Sequence, residues 1–225
     1  MRMRRKKNLD ERLAACGKWY LHAQIDDRNF ETAPNKKEYI DLPALFGNDN
    51  PIHLEIGCGK GRFVCQSALL NPDINYIAVE CNENVLVHAC ETAMQMNLNN
   101  VRFIDCNARY LEKYIKSNTI SIIYLNFSCP YPKSTYESHR LTHKNFLGIY
   151  NSILTANGEI HQKTDNMKLF EYSIEQLSTF GFALKNVSLD LHNSGFEGNI
   201  KTEYESKFSE LGQPIYRLEA HKKEG

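Results

Sequence analysis

HLEIGCGKGRF, residues 53–63, is the stretch on which the reading of this chain turns. HLEI (53–56) is short and β-compatible, and it runs straight into glycines at 57, 59 and 61. Glycine lets the backbone turn tightly after a strand and approach a ligand with no Cβ in the way. A dinucleotide-binding turn follows G-x-G-x-x-G and would place its third glycine at position 62. Arg62 stands there instead, and the spacing is G-x-G-x-G. The expectation therefore shifts from a nicotinamide dinucleotide to the related turn that holds S-adenosylmethionine, with an ordinary strand-to-helix turn as the alternative. Glu80 adds weight to a nucleoside ligand. It ends the next strand candidate, about twenty residues past the glycines, where a carboxylate accepts both ribose hydroxyls. Asn107, just past the third strand candidate, is placed either to meet an adenine edge or to cap the segment ARYLEKYI.

Outward from this turn, apolar runs alternate with segments of helical spacing. INYIAVE (74–80), VRFIDC (101–106), ISIIYLNF (120–127) and GEIHQKTD (158–165) read as strands. Val85, Ala89, Ala93 and Met96 form one helical stripe, and Phe146, Ile149, Tyr150 and Ile153 another. Phe170, Ile174 and Leu177 mark a further helix that ends near Gly181. FALKNVSLDLH (182–192) and QPIYRLEA (213–220) close the chain as two more strands. The expected fold is α/β: a mostly parallel, seven-stranded sheet with helices on both faces. In such sheets ligands bind beyond the carboxyl ends of the strands. Residues 1–50 read as a basic N-terminal extension with a short helix around Leu9 to Cys16, and 51–225 as the main domain.

Composition sets the limits. A chain of 225 residues, 42% hydrophobic and 24% charged, suits one large globular domain. No stretch approaches the roughly 18 apolar residues that span a bilayer. MRMRRKK has the charge of a signal-peptide start but lacks the apolar segment and cleavage site that should follow. The seven cysteines include no CxxC pair, so neither a disulfide framework nor a zinc site is expected, and a reducing cytoplasm is. Net charge is zero. The basic start, with Arg2, Arg4, Arg5, Lys6 and Lys7, is either a phosphate-neutralising arm or a solvated tail.

NFSCPYPK (126–133) follows the fourth strand. Pro130 and Pro132 fix their own φ and push Cys129 and Tyr131 towards extended backbone, so a stiff loop should present Ser128, Cys129, Tyr131 and Lys133. Tyr136, His139, Arg140, His143 and Lys144 come next, a basic segment with an aromatic that suits phosphate contacts and base stacking. Asp165 ends the fifth strand, where it either faces a ligand or caps the following helix.

In these motifs the chain resembles the bacterial tRNA (guanine-N7)-methyltransferases. The resemblance runs through HLEIGCGKGRF, YIAVE, YLNFSCPYPKSTYESHRLTHKNFL, GEIHQKTDNMKLFEYS and KTEYESKFSELGQPIYRLE, well over half the sequence and in family order. It implies a Rossmann-like class I methyltransferase fold and S-adenosylmethionine as methyl donor. It also implies a tRNA substrate, methylated at guanine N7 in the variable loop, conventionally position 46. By this resemblance Glu55, Gly57, Gly59, Gly61, Glu80, Asn107 and Cys129 fall at cofactor positions. Lys133, Asp165, Thr202 and Glu205 fall at substrate positions, with Asp165 and Glu205 orienting guanine. With the composition, the expectation is a cytoplasmic protein that needs no membrane or metal and is a monomer or homodimer. Two positions depart from the pattern. The family loop usually reads Asp-Pro-Trp-Pro-Lys where this chain has Cys129-Pro130-Tyr131-Pro132-Lys133, and the position of Asn107 is usually aspartate.

The chemistry tolerates both departures. Guanine N7 has an in-plane lone pair and no proton to lose, so its attack on a methyl sulfonium needs alignment rather than a general base. Loss of the carboxylate at 129 removes ~1–3 kcal/mol of stabilisation of the cationic product, roughly ten- to hundredfold in rate. A covalent role for Cys129 brings N7 alkylation no advantage. Two alternatives stay open: methylation of an exocyclic amine, and a tRNA-binding homologue with impaired catalysis.

Overall fold

The computed structural model describes residues 5–23 and 37–223, and these divide after Lys116 into two units. Arg2 and Arg4 of the basic arm lie outside the described residues.

The first unit contains β1 (Tyr20–Leu21), β2 (Ile52–Ile56), β3 (Asn75–Val79) and β4 (Val101–Ile104), in the order β1-β4-β3-β2 and all parallel. Every residue of β2, β3 and β4 is buried, which is why these strands read as continuous apolar runs rather than alternating ones. Its helices are α1 (Leu9–Ala15), α2 (Leu42–Phe46), α3 (Arg62–Leu70), α4 (Glu83–Gln95) and α5 (Leu111–Tyr114). The buried stripe of α4 runs through Leu86, Ala89, Cys90 and Ala93. Val85 and Met96, expected in that stripe, lie at its margin, Met96 being exposed.

The N-terminal segment is spent on its own chain. Leu9 and Leu13 of α1 pack on Val87 of α4. Arg12 grips Glu91 with two hydrogen bonds of 2.7 Å, Arg5 pairs with Glu83 and Asp10, and the Lys6 amide donates to Asn84 Oδ1 at 2.7 Å. A two-pronged guanidinium–carboxylate contact adds direction as well as charge. Trp19 donates from Nε1 to the Leu98 carbonyl.

The second unit contains β5 (Ile120–Asn126), β6 (Leu154–Thr164), β7 (Phe182–Ser188) and β8 (Tyr216–Lys222), in the order β5-β6-β8-β7. β5 and β6 are parallel, whereas β8 runs antiparallel to both neighbours. With β1 the described strands number eight, one more than expected; a two-residue strand leaves no periodic signal. β6 begins at Leu154 rather than near Gly158, and a bulge absorbs the difference between Ile120 and Ile122. Gly158 permits it, since a Cβ there would lie 2.8 Å from Leu154 Cδ2 and 3.1 Å from the Ile120 carbonyl. The helices are α6 (Lys144–Ile153), α7 (Met167–Phe180) and α8 (Glu203–Glu210). Gly181, at φ 112°, ends α7 in the left-handed conformation that stops a helix. α8 was not anticipated. It carries few apolar residues, and its only buried position is Glu205.

One glycine of the turn after β2 is a packing residue. Gly61 sits at φ 80° at the start of α3, and a Cβ there would lie 2.6 Å from the Cβ of Ala89 on α4. Gly61→Ala should therefore strain the backbone and force two helices apart. The expected loss is about 2–5 kcal/mol, the sum of a left-handed alanine and an overpacked contact, read as a fall in the thermal unfolding midpoint.

Candidate active site

In the first unit the strand ends converge on the glycine turn. Gly57 and Cys58 both donate to the Val79 carbonyl, at 2.8 and 3.1 Å, so the turn is stitched to the end of β3. Gly57 (φ 77°) and Gly59 (φ 57°) are left-handed, and a Cβ on either would meet nothing within 4 Å. Unlike Gly61, these two leave open space on the turn. Glu80 accepts from the Gly59 amide at 3.3 Å through one oxygen and from the Asn82 amide at 3.0 Å through the other. Its carboxylate is thus held beside the turn by backbone donors. Glu55 lies 2% exposed on β2. Cys58, inside the turn, has its thiol pushed well up by burial first and by the charges of Glu55 and Glu80 second, so it is a neutral filler.

Asn107 is exposed and caps the 3-10 turn Ala108–Tyr110, accepting from the Arg109 amide at 3.0 Å. An amide oxygen has a second lone pair, so this cap leaves one acceptor direction for a ligand. An open, glycine-lined turn with a fixed carboxylate fits a nucleoside that offers vicinal hydroxyls.

The second unit carries the remaining candidate residues. Cys129 is exposed and Lys133 is exposed. Tyr131 is not extended as expected: it adopts φ 41°, and Phe127 adopts φ 52°. Tyr136 and His139 are exposed and meet edge to face at 5.8 Å, while His143 caps α6 by accepting from the Asn145 amide. Arg140 donates to the carbonyls of Pro130 and Tyr131. Arg140 and His143, read as phosphate contacts, are thus engaged within the protein.

Asp165 follows β6 and is half-buried. The helix cap that competed for it belongs to its neighbour: Asn166 accepts from the Leu169 amide at 2.9 Å. The Asp165 carboxylate is not used by the cap.

Thr202 and Glu205 are placed differently from the expectation of direct contact with guanine. They form a reciprocal capping box on α8: Thr202 Oγ1 accepts from the Glu205 amide at 2.9 Å, and the Glu205 carboxylate accepts from the Thr202 amide at 3.4 Å. Glu205 is 0% exposed. It also accepts from Lys163 Nζ at 2.7 Å, from His192 Nε2 at 3.0 Å and from Asn199 Nδ2. Burial opposes its ionisation, but the charge of Lys163 and these hydrogen bonds outweigh burial and hold the carboxyl below its usual range. Lys163, 7% exposed, donates further to Asn199 Oδ1 and the Ile200 carbonyl.

The Thr-x-x-Glu spacing at 202–205 was a readable cap signal. Lys163, His192 and Asn199 had no such signal, since Lys163 and Glu205 are 42 positions apart. Glu159, His161 and Glu219 form a separate cluster on β6 and β8, where Lys185 and Arg217 pair with the same carboxylates.

A family model described as "Putative methyltransferase" matches residues 49–218. A tRNA (guanine-N(7)-)-methyltransferase of Clostridioides difficile is 46% identical over 223 residues, covering 99% of this chain and 100% of that protein. The chain belongs to the tRNA (guanine-N7)-methyltransferase family. A relative of the same name from Listeria monocytogenes is 53% identical over 176 residues, 78% of this chain and 82% of that protein. Among solved structures, an antibiotic-related methyltransferase superposes with a TM-score of 0.62 at 17% identity, covering 80% of this chain and 91% of the other. That likeness establishes the Rossmann-like α/β methyltransferase fold. Among the described residues, no helix of this family member is long and apolar enough to cross a membrane.

Lys163→Met leaves the buried Glu205 carboxylate without its lysine, which costs about 3–5 kcal/mol; adding Glu205→Gln should recover part of that loss in thermal unfolding. The sign of the pH effect follows from the lowered carboxyl. Glu205 stabilises the fold above the ordinary carboxylate pKa of about 4.3, and this contribution disappears as pH falls through its lower folded value. Denaturant titrations of wild type and Glu205→Gln should accordingly converge as pH falls below the ordinary carboxylate pKa of about 4.3.

Proposed function

We propose that this protein transfers the methyl group of S-adenosylmethionine to N7 of guanine in the tRNA variable loop, at position 46, in the cytoplasm. The observation that carries this reading is 46% identity, over 99% of the chain, to a protein named for guanine-N7 methylation of tRNA. The site geometry agrees with it. Gly57, Gly59, Glu55, Glu80 and Asn107 would hold the donor, Glu80 accepting ribose hydroxyls and Asn107 an adenine amino proton. Gly61 supports this turn through its contact with Ala89.

When bound, S-adenosylmethionine supplies an electrophilic methyl on a sulfonium. Guanine N7 attacks with a lone pair that already lies in the ring plane, so the protein's task is alignment and charge. Asp165, left free of the helix cap, is the carboxylate to accept from the guanine donor edge and stabilise the cation that forms on the base. Lys133, exposed at the end of the prolyl loop, offers an ammonium to the RNA backbone. Exposed Tyr136 and His139 supply stacking surface beside it. Cys129 contributes a neutral side chain and loop backbone. Glu205 and Thr202 act at one remove, holding α8 to Lys163 rather than touching the base.

The deciding experiment is methyl transfer from labelled S-adenosylmethionine to unmodified tRNA, followed by nucleoside analysis. The expected product is 7-methylguanosine. Binding of tRNA without transfer would instead mark an impaired homologue, and a methylated exocyclic amine would reassign the reaction. Asp165→Asn should lower kcat/KM by roughly ten- to hundredfold, about 1.4–2.7 kcal/mol of transition-state stabilisation, with little change in thermal stability.

A further inference from the structure

The loop between β5 and the turn Ser134–His139 holds two left-handed residues that are not glycine, Phe127 and Tyr131. A residue with a Cβ resists that region by on the order of 1–2 kcal/mol, and such a conformation persists only where its surroundings enforce it. Phe127 is tied down by its amide, which donates to the Lys163 carbonyl at 2.8 Å. Tyr131 is flanked by prolines, which have no amide to donate, and its own carbonyl is a point at which the bend is held. Arg140 takes it. Its Nη2 donates to the Tyr131 carbonyl at 3.1 Å, and its Nε reaches the carbonyls of Pro130 and Tyr131 at 3.2 and 3.3 Å. The guanidinium lies 4.4 Å from the ring centre of Tyr172, on α7. A planar fork of donors stacked on an aromatic ring suits two adjacent carbonyls in a way an ammonium does not.

We propose that Arg140 is a positioning residue for methyl transfer: it clamps the carbonyls of Pro130 and Tyr131 against Tyr172 and so holds the bend that sets Cys129 and Lys133. The proposal rests on the function proposed above for its catalytic consequence, while the clamp itself can be read without catalysis. α7 is also the helix that follows Asp165 and its capping neighbour Asn166. The same packing therefore links the prolyl loop to the element that begins beside the candidate catalytic carboxylate. Arg140 itself touches neither substrate nor donor in this scheme.

The test uses the full chain carrying Cys81→Ser, which leaves Cys129 as the exposed thiol, since the other five cysteines are buried. In that background Arg140→Gln is compared with Arg140→Lys and with Tyr172→Leu. Alkylation of Cys129 by iodoacetamide should accelerate about threefold or more in Arg140→Gln as the loop opens locally, with the other two variants intermediate. On tRNA, kcat should fall about tenfold while KM for tRNA stays within about twofold, Arg140→Lys recovering part of the loss. An alkylation rate equal to the parent's would overturn the clamp. A raised KM with unchanged kcat would overturn the positioning role and make Arg140 an RNA-phosphate contact. Tyr172→Leu leaves Arg140 in place and serves where Arg140→Gln fails to fold; parental alkylation in it overturns the stacking platform. If the parent transfers no methyl group, the function above fails, and the alkylation rates alone decide the clamp.

Discussion

A carboxylate with no exposure to water can exist in a protein only if its charge is answered where it stands. Glu205 is that group, and Lys163 answers it. Around the pair, His192 and Asn199 take up Oε1, and the Thr202 amide shares the other oxygen with Lys163. Four segments that are separate in sequence meet on this one side chain: the end of β6, the turn at Leu191–Asn193, the loop through Asn199 and the first turn of α8. The charge is worth keeping only if all of them hold their places, because removing any one partner leaves a buried ion short of donors. Lys163 is two residues before Asp165, so the same contact anchors the strand end that carries the half-buried aspartate.

Backbone strain distinguishes the glycine turn of the first unit from the prolyl loop of the second. After β2 the left-handed positions are filled by Gly57, Gly59 and Gly61, for which that conformation has no steric penalty. After β5 they are filled by Phe127 and Tyr131, for which it does. The first turn is therefore set by residue choice and needs little help. The second needs tertiary support, from a β6 carbonyl at one bend and from Arg140 at the other. Both arrangements place rigid backbone at the ends of strands, where a ligand meets few side chains and many fixed dipoles.

Much of this was legible in residue order. The strands β2, β3, β4 and β5 announce themselves as β-compatible apolar runs, and α4, α6 and α7 by their stripes. The stripe on α4 was displaced because Val85 and Met96 are apolar without being buried, and periodicity cannot see exposure. The competition between a ligand role and a cap for Asp165 could not be settled from spacing, since Asp165 and Asn166 are both good caps; the structure gives the cap to Asn166. α8 was missed because its stability comes from a buried ion pair and a capping box rather than an apolar face.

What the sequence alone determined is what depends on neighbours along the chain. That includes the alternation of strand and helix, the glycine turn with its carboxylate about twenty residues on, the prolyl loop, and a motif set specific enough to indicate the family. What only the tertiary structure decided is how each polar side chain spends its hydrogen bonds. Gly61 proved to be a contact with Ala89, Glu205 a buried hub for Lys163, and Arg140 a clamp on backbone carbonyls. Hydrogen bonds and burial join atoms close in space, and spacing along a chain carries no record of which distant residue will be there to accept.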